Sequence, residues 1–213
     1  MFSTIDSTIR RLPVYVLIDC SSSMRGDAIE AVDQAFKNLI LKLVNDPHTS
    51  DVVWVSVIVY NSVPRQLMPL CPISNFKTLP LKAGGSSNLG RALHFLSHCI
   101  KEEVRDQTMN QKGDRKPLVF LMSDGRSTDD WEGISEKVSR NVDFVACGVG
   151  TDVNVSNLKH LTNIVVLMKD QTSDTFSQFI DFIGSAVTMA SQKSLDSTKG
   201  ITIDKKYHKI ILS

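Results

Sequence analysis

Short, continuous apolar runs that alternate with stretches of helical spacing constrain this chain most, because a run apolar at every position must be covered on both faces of a sheet. The first, Val14-Tyr15-Val16-Leu17-Ile18 ending in Asp19, is rich in β-branched residues and reads as a central strand after Pro13. Residues 26–45 then place Ile29, Val32, Ala35, Phe36, Leu39, Ile40 and Leu43 at steps of three and four, the apolar face of a helix that Asp46-Pro47 ends. Residues 51–60 read as a second strand. Residues 65–70, after the turn Asn61-Ser62-Val63-Pro64, read as a short partner that Pro64 and Pro69 mark as an edge. Helical spacing returns with Leu89, Ala92, Leu93, Leu96, Cys99, Ile100 and Val104. A strand is expected over 117–122, and Ser127-Thr128-Asp129-Asp130 reads as a helix start, with a hydroxyl cap and acids at the positive end of the dipole. Further strands are expected over 142–149 and 164–168, with helices to Arg140, over 155–161 and over 175–190.

The alternation predicts an α/β fold: a doubly wound, mainly parallel sheet with one short antiparallel edge strand and helices on both faces. At 213 residues and 42% hydrophobic content the chain can bury a full core without disulfides, so one domain over 1–191 is expected. Beyond Ser191 the character changes. Lys193, Lys199, Lys205, Lys206 and Lys209 surround a short alternating run over 200–212, a basic tail that either adds a strand or extends freely. A formal net charge of +1 gives no global pull towards nucleic acid or an anionic membrane, so any partner is chosen by a local site. Cys20, Cys71, Cys99 and Cys147 are scattered, without a C-x-x-C pair, and read as reduced core thiols of a reducing compartment. With no basic-then-apolar leader and no apolar stretch of bilayer length, the cytoplasm is the expected location and no membrane partner is expected.

Three polar turns stand at strand ends or helix starts: Asp19-Cys20-Ser21-Ser22-Ser23, Gly84-Gly85-Ser86-Ser87-Asn88-Leu89-Gly90 and Ser123-Asp124-Gly125. Parallel strands gather such turns at the carboxyl edge of the sheet, so Asp19 and Asp124 can lie side by side although distant in sequence. Serine hydroxyls with aspartates that bind directly or through water make an all-oxygen, water-retaining set that suits Mg²⁺, and Mn²⁺ fits as well. If both acids act through water, the ion keeps much of its charge and one position stays open for an incoming carboxylate. Taken singly each turn is weak, since Ser23 and Ser86-Ser87 can be helix caps and Asp124-Gly125 a common turn pair.

D-x-S-x-S at Asp19, Ser21 and Ser23, a hydroxyl three residues before Gly90, and a strand ending S-D-G at Asp124 resemble the metal-ion-dependent adhesion site of von Willebrand factor A domains. The resemblance implies Asp19, Ser21, Ser23, Ser87 and Asp124 as the metal site. Ser87 stands where that family usually has threonine; it keeps the hydroxyl and loses the methyl that stiffens the rotamer. Ser86 is the competing choice for this position. Within the superfamily, Arg10-Arg11-Leu12-Pro13-Val14-Tyr15, Ser23-Met24-Arg25-Gly26 and Asp124-Gly125 through Thr128-Asp129-Asp130-Trp131 resemble bacterial tellurium-resistance TerY-like proteins. That implies a cytosolic adaptor in a tellurite or stress-response system, with a protein kinase or PP2C-type phosphatase as partner, and not an enzyme.

The alternative is a Mg²⁺-dependent phosphotransferase or phosphatase with Asp19 as nucleophile, similar to haloacid dehalogenase-type enzymes. Those need a second aspartate two residues on, where this chain has Ser21. The G-x-x-x-x-G-K-[ST] pattern of a phosphate loop is missing around Gly84-Gly85. His94 and His98 share a helix face at i, i+4 and read as a surface or partly buried pair, not a zinc site. Asp129 and Asp130 read as first-turn acids of their own helix, and Trp131 as a packing residue.

Overall fold

The computed structural model describes residues 10–77, 80–168, 173–192 and 211–212. Strands β1 (Leu12–Asp19), β2 (Val53–Tyr60), β3 (Arg65–Pro72), β4 (Leu118–Ser123), β5 (Asp143–Val149), β6 (Val165–Met168) and β7 (Ile211–Leu212) form one sheet in the order β3-β2-β1-β4-β5-β6-β7. The strands from β2 through β6 in that order run parallel. Strand β3 pairs antiparallel with β2, as the prolines lead one to expect of an edge. A second antiparallel strand closes the other edge: Ile211 and Leu212 pair with Val166 and Val165 of β6, so the end of the tail does add a strand. The expected domain limit at 191 falls in the last turn of α6 (Ser173–Gln192), and residues 193–210 lie outside the described residues.

Strand β1 is buried along its whole length, and its alternation assigns one side chain to each face in turn. Val14, Val16 and Ile18 join the core beneath α1 (Asp27–Val44) and α6, whereas Tyr15 and Leu17 join the core beneath α3 (Leu89–Glu103), α4 (Glu132–Asn141) and α5 (Val155–Leu161). Pro13 lies inside the strand, which begins at Leu12, two residues earlier than the sequence suggests. Leu12 N donates to Val52 O on the β2 side, so position 13 faces β4, whose pairing begins only at Val14, and the missing N–H breaks no ladder bond. A one-turn helix α2 (Pro47–Ser50), not foreseen from the sequence, links α1 to β2.

The chain leaves β1 towards β2 and β3 on one side and resumes at β4 towards β5 and β6 on the other. The carboxyl ends of β1 and β4 therefore bound the crevice where the winding reverses, the place where open α/β sheets put their ligands. Register sets Ile18 beside Met122, and hence Asp19 next to Ser123. No helix of the described residues is long and apolar enough to cross a membrane.

Candidate metal centre

Asp19 is the floor of this crevice. Its side chain is fully buried, at 0% exposure, and its oxygens are met by donors from each of the surrounding turns. Oδ1 accepts the Ser21 N–H at 2.8 Å, while Oδ2 accepts the hydroxyls of Ser87 at 2.9 Å, Ser123 at 2.9 Å and Tyr60 at 3.2 Å. Ser21 Oγ in turn lies 3.0 Å from Ser23 Oγ. No Lys or Arg of the described residues forms an ion pair with Asp19. Burial raises the Asp19 pKa above its ordinary 3.8, opposed by the bonds from Ser21, Ser87 and Ser123. Burial, with the charge of Asp19 beside it, also pushes the Tyr60 hydroxyl well above its ordinary value.

The turns are tied to one another through their backbones. Cys20 N donates to Tyr60 O, Gly84 N to Cys20 O, and Ser22 N to Gly85 O, so two backbone bonds pin the first serine turn to the glycine turn. Ser86 and Ser87 are separated by their partners. Ser86 N and Oγ both bond Ser62 Oγ, in the turn between β2 and β3, whereas Ser87 alone of the two reaches Asp19. Asp124 follows β4 at 8% exposure, and its Oδ1 accepts the Arg126 N–H at 3.0 Å. Gly125 turns the chain at φ 76°; a Cβ there would stand 2.5 Å from Asn154 O, so neither the backbone nor the space admits another residue without movement.

The sequence-derived residues thus fall into layers. Asp19 lies deepest, Ser21 and Ser87 are buried above it, and Ser23 is exposed at the mouth with Asp124 beside it. Ser23 and Asp124 also line a cavity of about 560 Å³, together with Arg25, Asp27, Arg126 and Asp152, the last two of which form an ion pair. Hydrogen bonds join Asp19, Ser21, Ser23 and Ser87 directly, and Asp124 meets the group through this shared wall. Tyr60 and Ser123 were not foreseen as partners of Asp19. Their signal is topological, since both end strands that flank β1.

The donors fit a hard divalent cation. Among the described residues no three His, Cys, Asp or Glu side chains cluster as a metal group, which leaves two carboxylates and a set of hydroxyls, oxygen throughout. Ser87 and Ser123 give their protons to Asp19, so their oxygen lone pairs remain for an ion, and no cation of the described residues pairs with Asp19. His94 and His98 both lie on the exposed face of α3, away from this site. Cys20, Cys99 and Cys147 are buried, unbridged thiols, whereas Cys71, expected in the core, is only half-buried; burial pushes the Cys20 thiol up to about 12.

The family described as von Willebrand factor type A domain matches residues 14–182, and the chain belongs to that family. A search among curated proteins found no match. Among solved structures, the pilus adhesin SpaC from Lactobacillus rhamnosus GG superposes with a TM-score of 0.68 at 13% identity, covering 85% of this chain and 30% of the adhesin. A von Willebrand factor type A protein from Catenulispora acidiphila gives 0.64 at 16%, covering 84% of this chain and 43% of that one. The ArnB paralog VWA2 from Sulfolobus acidocaldarius gives 0.60 at 18%, with 84% and 45% covered. This chain spans less than half the length of each, and the likeness is one of fold.

Proposed function

We propose that this chain is a metal-dependent protein-binding domain, an adaptor in which Asp19, Ser21, Ser23, Ser87 and Asp124 hold Mg²⁺, or Mn²⁺, and the ion captures an acidic side chain of a partner. The observation that carries this reading is the fully buried Asp19, surrounded by hydroxyl donors from several turns and paired with no cation of the described residues. A bound divalent ion would balance that charge and offer its remaining positive charge to a carboxylate from outside. The depth of Asp19 favours contact through water, which keeps the ion electrophilic. The cavity beside Ser23 and Asp124 gives the partner room, and because Asp27 and Asp152 on its wall offset Arg25 and Arg126, the attraction for an acidic segment would come from the ion.

The finer assignment rests on the motif resemblance at residues 10–15, 23–26 and 124–131: a cytoplasmic, TerY-like protein of a bacterial tellurite or stress-response system, with a kinase or PP2C-type phosphatase as partner. Phosphotransfer by Asp19 is disfavoured, because the carboxylate is buried with both oxygens bonded, and Ser21 occupies the position of the second acid. Tagged wild-type protein and Asp19→Ala, used as bait with Mg²⁺ and with chelator, test the proposal. Partner retained by wild type in Mg²⁺, released by chelator and missing from the variant is the expected result. Equal retention in all arms, or Mg²⁺-dependent phosphomonoester turnover abolished by Asp19→Asn, would overturn it.

A further inference from the structure

The turn that carries Asp124 also caps a helix to which it does not belong. Helix α3 begins at Leu89, and the side chain of its own N-cap residue, Asn88, makes no capping bond. Its first three N–H groups are met instead by the turn between β4 and α4: Leu89 N donates to Ser127 Oγ at 3.3 Å, Gly90 N to Asp129 Oδ1 at 2.9 Å and Arg91 N to Asp129 Oδ2 at 3.0 Å. Three orphan donors at the positive end of the helix are thus satisfied from about forty residues away, with a carboxylate where the dipole favours one. This corrects the expectation that Asp129 serves its own helix, because α4 starts only at Glu132 and takes no side-chain cap. The fit is tight. A Cβ on Gly90 would stand 2.0 Å from Asp130 O, so a residue without a side chain lets the turn close on the helix.

The same turn grips Ser87 from behind. Thr128 N and Thr128 Oγ1 both donate to Ser87 O, at 2.7 and 2.8 Å, while the Ser87 hydroxyl points to Asp19. Both Asp129 oxygens are committed to α3 and Ser127, and none of their bonds enters the cup. We propose that Asp129 is a positioning residue of the metal site: by clamping the start of α3 to the β4–α4 turn it holds Ser87 and Asp124 in one frame. The clamp supplies from the backbone side the stiffness that Ser87 lacks for want of a γ-methyl. This inference rests on the metal reading above.

The test compares wild type, Asp129→Ala, Asp129→Asn and a control, Leu96→Val, which loosens the buried face of α3 without touching the clamp. Two readouts are taken on folded protein: Mg²⁺ affinity by calorimetry, and amide hydrogen exchange in the metal-free state. Asp129→Ala is expected to weaken Mg²⁺ about 10- to 100-fold, the usual effect of removing a group that orients a ligand, and to speed exchange at Gly90 and Arg91. Asp129→Asn, which keeps one acceptor oxygen, recovers part of both. Leu96→Val leaves Mg²⁺ affinity unchanged. Wild-type affinity in Asp129→Ala, or an equal loss in Leu96→Val, overturns the positioning role. Absence of Mg²⁺ binding by wild type overturns the metal reading itself, and this role with it.

Discussion

Asp19 and Asp114 are both aspartates with buried side chains at opposite edges of the same sheet, and the groups that meet their charges differ. At the amino edge, Arg11 grips Asp114 with two bonds, Nε to Oδ1 at 2.8 Å and Nη2 to Oδ2 at 2.5 Å, with the two side chains 7% and 1% exposed. The same guanidinium donates to Glu103 O and lies 4.4 Å from the Trp54 ring centroid, so the charge is closed by the protein on every side. At the carboxyl edge the donors that Asp19 receives from the described residues are neutral. A buried ion pair between fixed side chains balances its own charge, whereas a buried carboxylate ringed by hydroxyls leaves its charge to be balanced by a proton or, on the proposed reading, by a cation from solution. The contrast sets a self-contained ion pair of the fold against the proposed metal site.

Breaking the amino-edge pair has the largest expected effect. Arg11→Met leaves Asp114 buried and unpaired and should cost about 3–5 kcal/mol in urea unfolding. A loss below about 1 kcal/mol would mean that the pair is in effect solvent-screened, and the contrast would fail on that side. The matching change at the other edge, Asp19→Asn, removes a buried charge that has no ion-pair partner among the described residues. Unfolding of the metal-free variant is expected at or above the wild-type midpoint, with no further rise on adding Mg²⁺; marked destabilisation without metal would show that Asp19 is a structural anchor like Asp114. The smallest effect belongs to Ser87→Thr. Its added methyl restricts one rotor, worth at most about 1 kcal/mol, so a gain of a few-fold in Mg²⁺ affinity is expected by calorimetry. A large loss would show that the clamped backbone has no space for the methyl.

Much of this layout was legible in the sequence, since strand length, helical spacing and the position of polar turns are local properties. Asp19, Ser21 and Ser23 announce themselves at the end of a buried strand, and the winding brings Asp124 beside them. Partnerships across the fold were not legible. Nothing near Asp114 points to Arg11 at the other end of the pairing, and Tyr60 and Ser123 meet Asp19 only because β2 and β4 flank β1. Local capping rules assigned Asp129 to the helix that follows it, whereas the closer set of free N–H groups belongs to α3. Ser86 and Ser87 are equivalent in sequence and are told apart by Ser62, which takes the first and leaves the second to Asp19.

The most direct test is a titration of Mg²⁺ into metal-free wild-type protein as a function of pH. A folded-state pKa of Asp19 raised above 3.8 means that its contribution to stability is fully present below 3.8 and is lost as pH rises through the raised value. The ion should compete with that proton. The account predicts Mg²⁺ binding with a rise in melting temperature at neutral pH, both fading as the solution is acidified towards 3.8, and both missing from Asp19→Asn. Wild-type protein that takes up no divalent ion at neutral pH, or a variant that binds it as well as wild type does, would contradict it.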